Sequence, residues 1–151
     1  MSKYNPETFL SQETSDVMET KFTPLPSGEY KGVVKSVDYK ELGADNSPML
    51  EVVYRIIDQD ALAEQLNMNE LSVRQSIWLD LNESGGFDTG PNKNVKLGKL
   101  REALGQLQPG VAWSPMQMVD QGPVLIQVGM REDKNDPDVV YNDVKRVTTA
   151  H

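Results

Sequence analysis

The segment from Ser72 to Leu81 alternates apolar and polar residues more strictly than any other part of the chain. One phase is apolar except for Gln75, with Val73, Ile77, Leu79 and Leu81, and the other is polar except for a tryptophan, with Arg74, Ser76, Trp78 and Asp80. A period of two predicts a β-strand with one face on a core and the other in solvent. An indole on the polar face is unexpected unless something covers it.

Four further segments have the composition of strands. β-branched and aromatic residues, with partial or clear alternation, fill residues 29–39, 49–57, 123–131 and 139–147. A helix is predicted from Val95 to Leu107, after the third strand, with Asn94 as its N-cap. Its apolar stripe consists of four leucines: Leu97, Leu100, Leu104 and Leu107.

Five strands with a helix between the third and the fourth are the layout of an OB-fold, a small and partly open Greek-key barrel. The sequence therefore predicts a mainly β, five-stranded OB-fold domain over residues 25–151. A polar, proline-containing extended arm is predicted over residues 1–24.

Composition argues against several classes of function. The 151 residues include no cysteine and one histidine, His151, so cysteine nucleophiles, zinc sites and His-based triads are not expected. Neither a Walker A pattern nor Gly-x-Gly-x-x-Gly occurs, and the acidic run 133–138 lacks the glycine and glutamate of an EF-hand loop. We therefore expect no catalysis, no metal and no cofactor. Without a long apolar run or a signal-like N-terminus, a cytoplasmic protein is predicted, with no membrane partner.

The net charge of −8, from 15 basic and 23 acidic residues, argues against nucleic acid when it is taken over the whole chain. The acids are concentrated, however. Residues 1–20, 58–70 and 132–138 carry net charges of −3, −4 and −3, which leaves +2 on the other 111 residues. A locally cationic surface is therefore compatible with this composition.

Five short segments, in order, resemble the pattern of a known family: Pro26–Val34, Ser47–Ile56, Ile77–Asn82, Leu97–Gly105 and Tyr141–Val147. The resemblance is to phage-encoded single-stranded DNA-binding proteins with an OB-fold, and it covers about residues 20–148. It implies binding of single-stranded DNA in phage replication or recombination, without catalysis, in the host cytoplasm. Replication or recombination proteins would be further partners.

Binding of single strands without sequence preference requires aromatic rings for stacking and cations near the phosphates. Trp78 is the first candidate for stacking, with Arg74 beside it and Arg55 on the outer phase of the second strand. The alternative for Trp78 is structural, with segment 58–71 or the N-terminal arm packed over the indole.

Five further residues are candidate DNA contacts. Phe87 and Lys93 lie in the glycine-containing loop 83–94, where the ring could fold onto DNA or tuck under the barrel. The other three candidates point to the same side of the predicted first strand by their spacing: Lys31, Lys35 and Tyr39. Valines share that phase too, which predicts a bulge or a two-sided strand, and these lysines could equally be solvated.

A second function is open at this stage, an acidic protein-interaction module that binds a basic partner and imitates DNA. The charge distribution separates the two. DNA binding requires cations and aromatic rings on one concave face with the acids peripheral, whereas the module requires acids on one continuous face.

Overall fold

Five antiparallel strands form one sheet in the order β3-β2-β1-β4-β5. The computed structural model describes residue 7, residues 10–15 and residues 23–150. The strands are β1 (Gly28–Leu42), β2 (Ser47–Ile57), β3 (Ser72–Trp78), β4 (Val124–Glu132) and β5 (Val140–Thr149). Helix α1 (Asp60–Gln65) follows β2, helix α2 (Val95–Ala103) follows β3, and a 3₁₀ helix (Pro115–Met118) precedes β4. The protein is therefore mainly β.

The sheet is not closed, because its edge strands β3 and β5 are not hydrogen-bonded to each other in the described part of the chain. They do come into contact, so the sheet curls around its apolar face. Most of the predicted arm over residues 1–24 lies outside the described residues. No described helix has the length and apolar character needed to span a bilayer.

The alternation of β2 and β3 places one phase of each strand in the core. Six inward apolar residues are each no more than 7% exposed: Leu50, Val52, Tyr54, Ile56, Val73 and Ile77. The predicted facing of these two strands is therefore confirmed. Burial raises the pKa of the Tyr54 hydroxyl, which donates a hydrogen bond to Gln75 Oε1 at 2.6 Å.

The irregular phase of β1 has a defined cause. The register with β2 shifts between Val34, which pairs with Tyr54, and Ser36, which pairs with Val53. Lys35 is the extra residue of a β-bulge at this position. The predicted bulge is confirmed, and it reverses the facing of every β1 side chain that follows it.

Helix α2 is shorter than predicted, and its start is formed differently. It ends at Ala103 because Gly105 adopts the left-handed conformation (φ 73°) that commonly terminates a helix. Asn94 occupies the N-cap position, but its backbone is left-handed (φ 52°) and its side chain makes no capping hydrogen bond. The prediction that Asn94 caps the helix was therefore wrong, because its side chain bonds elsewhere.

Candidate nucleic-acid interface

The outward phases of β2 and β3 bring three predicted site residues onto one surface. In the register of these strands, Arg55 pairs with Ser72, Val53 with Arg74, and Met49 with Trp78. Cross-strand partners share a face, so Arg55 and Arg74 are diagonal neighbours and Trp78 lies about 13 Å further along β3. We call this surface, with the outward residues of β1 that pair against it, the outer face.

Trp78 is 54% exposed on the outer face. Segment 58–71 does not cover the indole. It joins the opposite ends of β2 and β3, about 20 Å from Trp78 along the strand. That segment packs on the core instead, through residues such as Leu62 and Leu66. The other structural alternative was that the N-terminal arm packs over Trp78. Most residues of that arm lie outside the described ones.

A buried methionine, Met49, lies beneath the outer face next to the indole. Met49 lies between Lys40 and Trp78 in register and is only 3% exposed, although its phase faces away from the core. Neighbouring outward side chains therefore shield it from solvent. Met49 itself therefore offers almost no surface to a ligand, and the exposed Trp78 ring is the group that suits stacking of a planar ligand.

Glu51 organises the charges of the outer face. Its Oε1 accepts from Arg74 Nη1 at 3.2 Å, and its Oε2 lies 2.6 Å from Lys40 Nζ. The Glu51 side chain is 12% exposed, whereas that of Arg74 is 72% exposed. The less exposed Glu51 carboxylate therefore positions the side chains of Lys40 and Arg74 and leaves both accessible to an anion from solvent.

The outer face carries more cations than anions where β1, β2 and β3 pair. Its cations are Lys31, Lys40, Arg55 and Arg74, and its acids are Asp38 and Glu51. The local charge is therefore positive although the whole chain is acidic. Such a surface attracts anionic ligands, and added salt weakens that attraction.

The bulge separates the three candidates of β1. Lys31 pairs with Ile57 and stays on the outer face with Arg55. Lys35, at the bulge, forms an ion pair with Glu70 at 2.6 Å. Tyr39 pairs with Leu50 on the inward phase, at the end of the core, where it is 53% exposed. The shared phase inferred from sequence was therefore wrong for these residues.

Four hydrogen bonds between Asn94 and the segment after β3 position the predicted loop. Asn94 Nδ2 donates to the carbonyl oxygens of Asp80 and Asp88, both at 2.8 Å. Asn94 Oδ1 accepts from the Asp80 N–H at 2.8 Å, and the Asn94 N–H donates to Asp80 Oδ2 at 2.9 Å. This Asn94–Asp80 clamp holds the exposed Lys93 beside a residue that follows Trp78 by two positions.

Phe87 takes the inward alternative of the two that the sequence left open. It forms an isolated bridge with Leu81, packs against the core and is partly buried. Its ring centroid lies 6.2 Å from that of Trp113. Phe87 therefore supports the loop, with a limited surface left for a ligand.

Comparison with known protein families matches residues 10–151 to a family described as a protein of unknown function (DUF669). The chain belongs to the DUF669 family. Because the match spans strands β1 to β5 and helices α1 and α2, the outer face lies within the DUF669 domain. A comparison with curated proteins found no match.

Sequence reasoning missed two residues of the outer face in this DUF669 protein. Lys40 falls out of phase with Lys31 in the sequence, and only the bulge brings both to one face. Glu51 was visible as an outward residue, but its two ion pairs depend on strand pairing. Among the described residues, no group of three or more potential ligands is arranged to hold a metal ion.

Proposed function

We propose that this DUF669 protein binds single-stranded DNA on the outer face, with little sequence preference, during phage replication or recombination. The observation that carries the proposal is the exposed indole of Trp78 on the same face as Arg55 and Arg74. We also propose that the curled sheet is an OB-fold. Its strand order, the contact between β3 and β5, and the position of α2 between β3 and β4 support that assignment.

The chemistry of the outer face fits a single strand. A base stacked on Trp78 contributes about 1–3 kcal/mol, whichever base it is, because every base has a π face. Phosphates approach Arg74, Arg55 and the outward lysines, and release of their counterions favours binding. A duplex keeps its bases stacked on each other, so it cannot offer one to the indole.

The positions of the acids favour DNA binding over the acidic interaction module. The acids of residues 58–70 lie in the connection between β2 and β3, and those of 132–138 lie at the end of β4 and in the turn that follows it. These two clusters therefore belong to separate connections and do not form one continuous face, while most of the third, residues 1–20, lies outside the described residues.

Titration of the protein with fluorescent oligo-dT, and with a duplex of equal length, tests the proposal. We expect tighter binding of the single strand, quenching of tryptophan fluorescence, and an affinity that falls as salt is raised. Absence of binding at low salt, or equal affinity for the duplex, would contradict the proposal.

Arg55→Gln and Arg74→Gln should each lower the salt dependence of binding. Each removes one phosphate contact, so the slope of log K against log salt should decrease by about 0.7 per substitution. Arg131→Gln is the matched control, because Arg131 also lies opposite an acid, Asp143 at 4.0 Å, but at the end of β4 beside the acidic turn. An equal decrease in the control would show that net charge, rather than the outer face, sets the slope.

A further inference from the structure

We propose that the bound single strand continues past Trp78 into a second site, a cleft beside α2 that takes one nucleotide. This inference rests on the proposed function and extends it. The cleft has a volume of about 380 Å³ and lies between the loop at Phe87–Asn94, helix α2 and the segment that ends at Trp113. We call it the α2 cleft.

A guanidinium stacked on an indole forms one wall of the α2 cleft. Arg101 Cζ lies 4.1 Å from the ring centroid of Trp113, and both side chains bond to Gln106. Arg101 Nε is buried and has no hydrogen-bond partner. A buried donor without a partner is unfavourable.

Gly98 leaves the backbone of α2 bare on the cleft side. Glycine inside a helix costs about 1 kcal/mol relative to alanine. Packing does not require it here, because a Cβ at Gly98 would have no atom within 4 Å apart from the neighbouring backbone of its own helix. Gly98 lines the α2 cleft, so its missing side chain is space that a ligand can fill against the helix.

The charges of the α2 cleft suit a phosphate. Lys93 lines the cleft and is exposed. The first turn of α2 contains no acidic residue, so its N–H groups favour an anion, and the Asp80 carboxylate already accepts the Asn94 N–H before it at 2.9 Å. The acid in the lining, Asp88, accepts the Gly90 N–H at 2.9 Å.

The Asn94–Asp80 clamp connects the α2 cleft with the outer face. It bonds Asp80, two residues after Trp78, to Asn94, which follows Lys93 and lines the cleft, so the indole and the α2 cleft are neighbours in the fold. Lys93 in the lining suits the phosphate of a nucleotide, and the remaining exposed surface of Phe87 and Trp113 suits its base. The occupant is therefore a nucleotide of the same strand.

Gly98→Leu, which fills the α2 cleft, tests the proposal with an oligo-dT series of increasing length. We expect a loss of affinity of about tenfold that is confined to the longer oligonucleotides, since these reach the cleft. Gly98→Ala separates helix stability from binding. It should raise the urea midpoint, and its affinity for long oligonucleotides should lie between those of the wild type and Gly98→Leu.

Lys93→Gln is a second variant that keeps the test valid if Gly98→Leu does not fold, because Lys93 is exposed. It should reduce the salt slope by about 0.7 for long oligonucleotides, whereas Lys134→Gln, in the acidic turn, should not. If the wild type binds oligo-dT and Gly98→Leu binds long oligo-dT equally well, the proposed site in the α2 cleft is wrong, whereas the proposed site on the outer face is not contradicted. Absence of any oligo-dT binding by the wild type would overturn both.

Free dTMP distinguishes a strand-borne nucleotide from a soluble one. We expect dTMP to bind more weakly than any oligonucleotide that reaches the α2 cleft, because it lacks the contacts of the outer face. Tight dTMP binding that Gly98→Leu abolishes, with oligo-dT affinity unchanged, would overturn the strand path and assign the cleft to a free nucleotide.

Discussion

Replacing Trp78 with alanine should weaken binding of oligo-dT by about 1–3 kcal/mol, which is about 5- to 150-fold in Kd. The substitution removes a 54% exposed ring from the outer face and leaves Arg55 and Arg74 in place. The salt slope should therefore change little while the affinity falls. Fluorescence anisotropy of labelled oligo-dT measures both quantities without using the protein's own tryptophan signal.

Two variants show whether the ring itself matters. Trp78→Phe retains an aromatic face and should lose less affinity than Trp78→Ala. Met130→Ala removes an apolar side chain of similar exposure, 49%, from β4 and should bind as the wild type does. Each exposed substitution should change the free energy of unfolding by less than about 1 kcal/mol. If Trp78→Ala binds oligo-dT normally, the indole is not the stacking platform.

Asn94→Gly should destabilise the fold by about 2–4 kcal/mol, a large effect for a residue in a surface loop. Its side chain makes three hydrogen bonds to the backbone of Asp80 and Asp88, and glycine removes all three while it tolerates the left-handed backbone. Asn94→Ala should cost about 1 kcal/mol more, since a Cβ disfavours that conformation. Urea unfolding of the three proteins separates the two contributions.

Asn92→Gly is the matched control for the Asn94–Asp80 clamp. Asn92 is the same residue type in the same loop, it is also left-handed (φ 63°), and it is exposed. It makes none of the bonds to Asp80 and Asp88, so its replacement should be close to neutral. Equal destabilisation by Asn92→Gly and Asn94→Gly would show that the clamp contributes nothing. Asn94→Gly should also reduce affinity for long oligo-dT, because Lys93 loses its fixed position.

The facing of β2 and β3 could be read from the sequence because strand periodicity is local. Successive side chains point to opposite sides whatever the strand pairs with. Because the apolar residues of these strands must face the core, the alternating positions, which include Trp78, Arg74 and Arg55, had to face outward. Burial of Tyr54 was predictable for the same reason.

Only the tertiary structure decided which other residues join that surface, because hydrogen bonds between distant segments set register and loop position. The bulge at Lys35 exists through pairing with β2, and it turns Tyr39 inward while it brings Lys40 to the outer face. Asn94 is a residue type that commonly caps a helix, yet its side chain forms hydrogen bonds with residues that precede it by 6 and 14 positions. The local pattern thus determined which way each strand faces, and the long-range contacts determined what lies beside the indole.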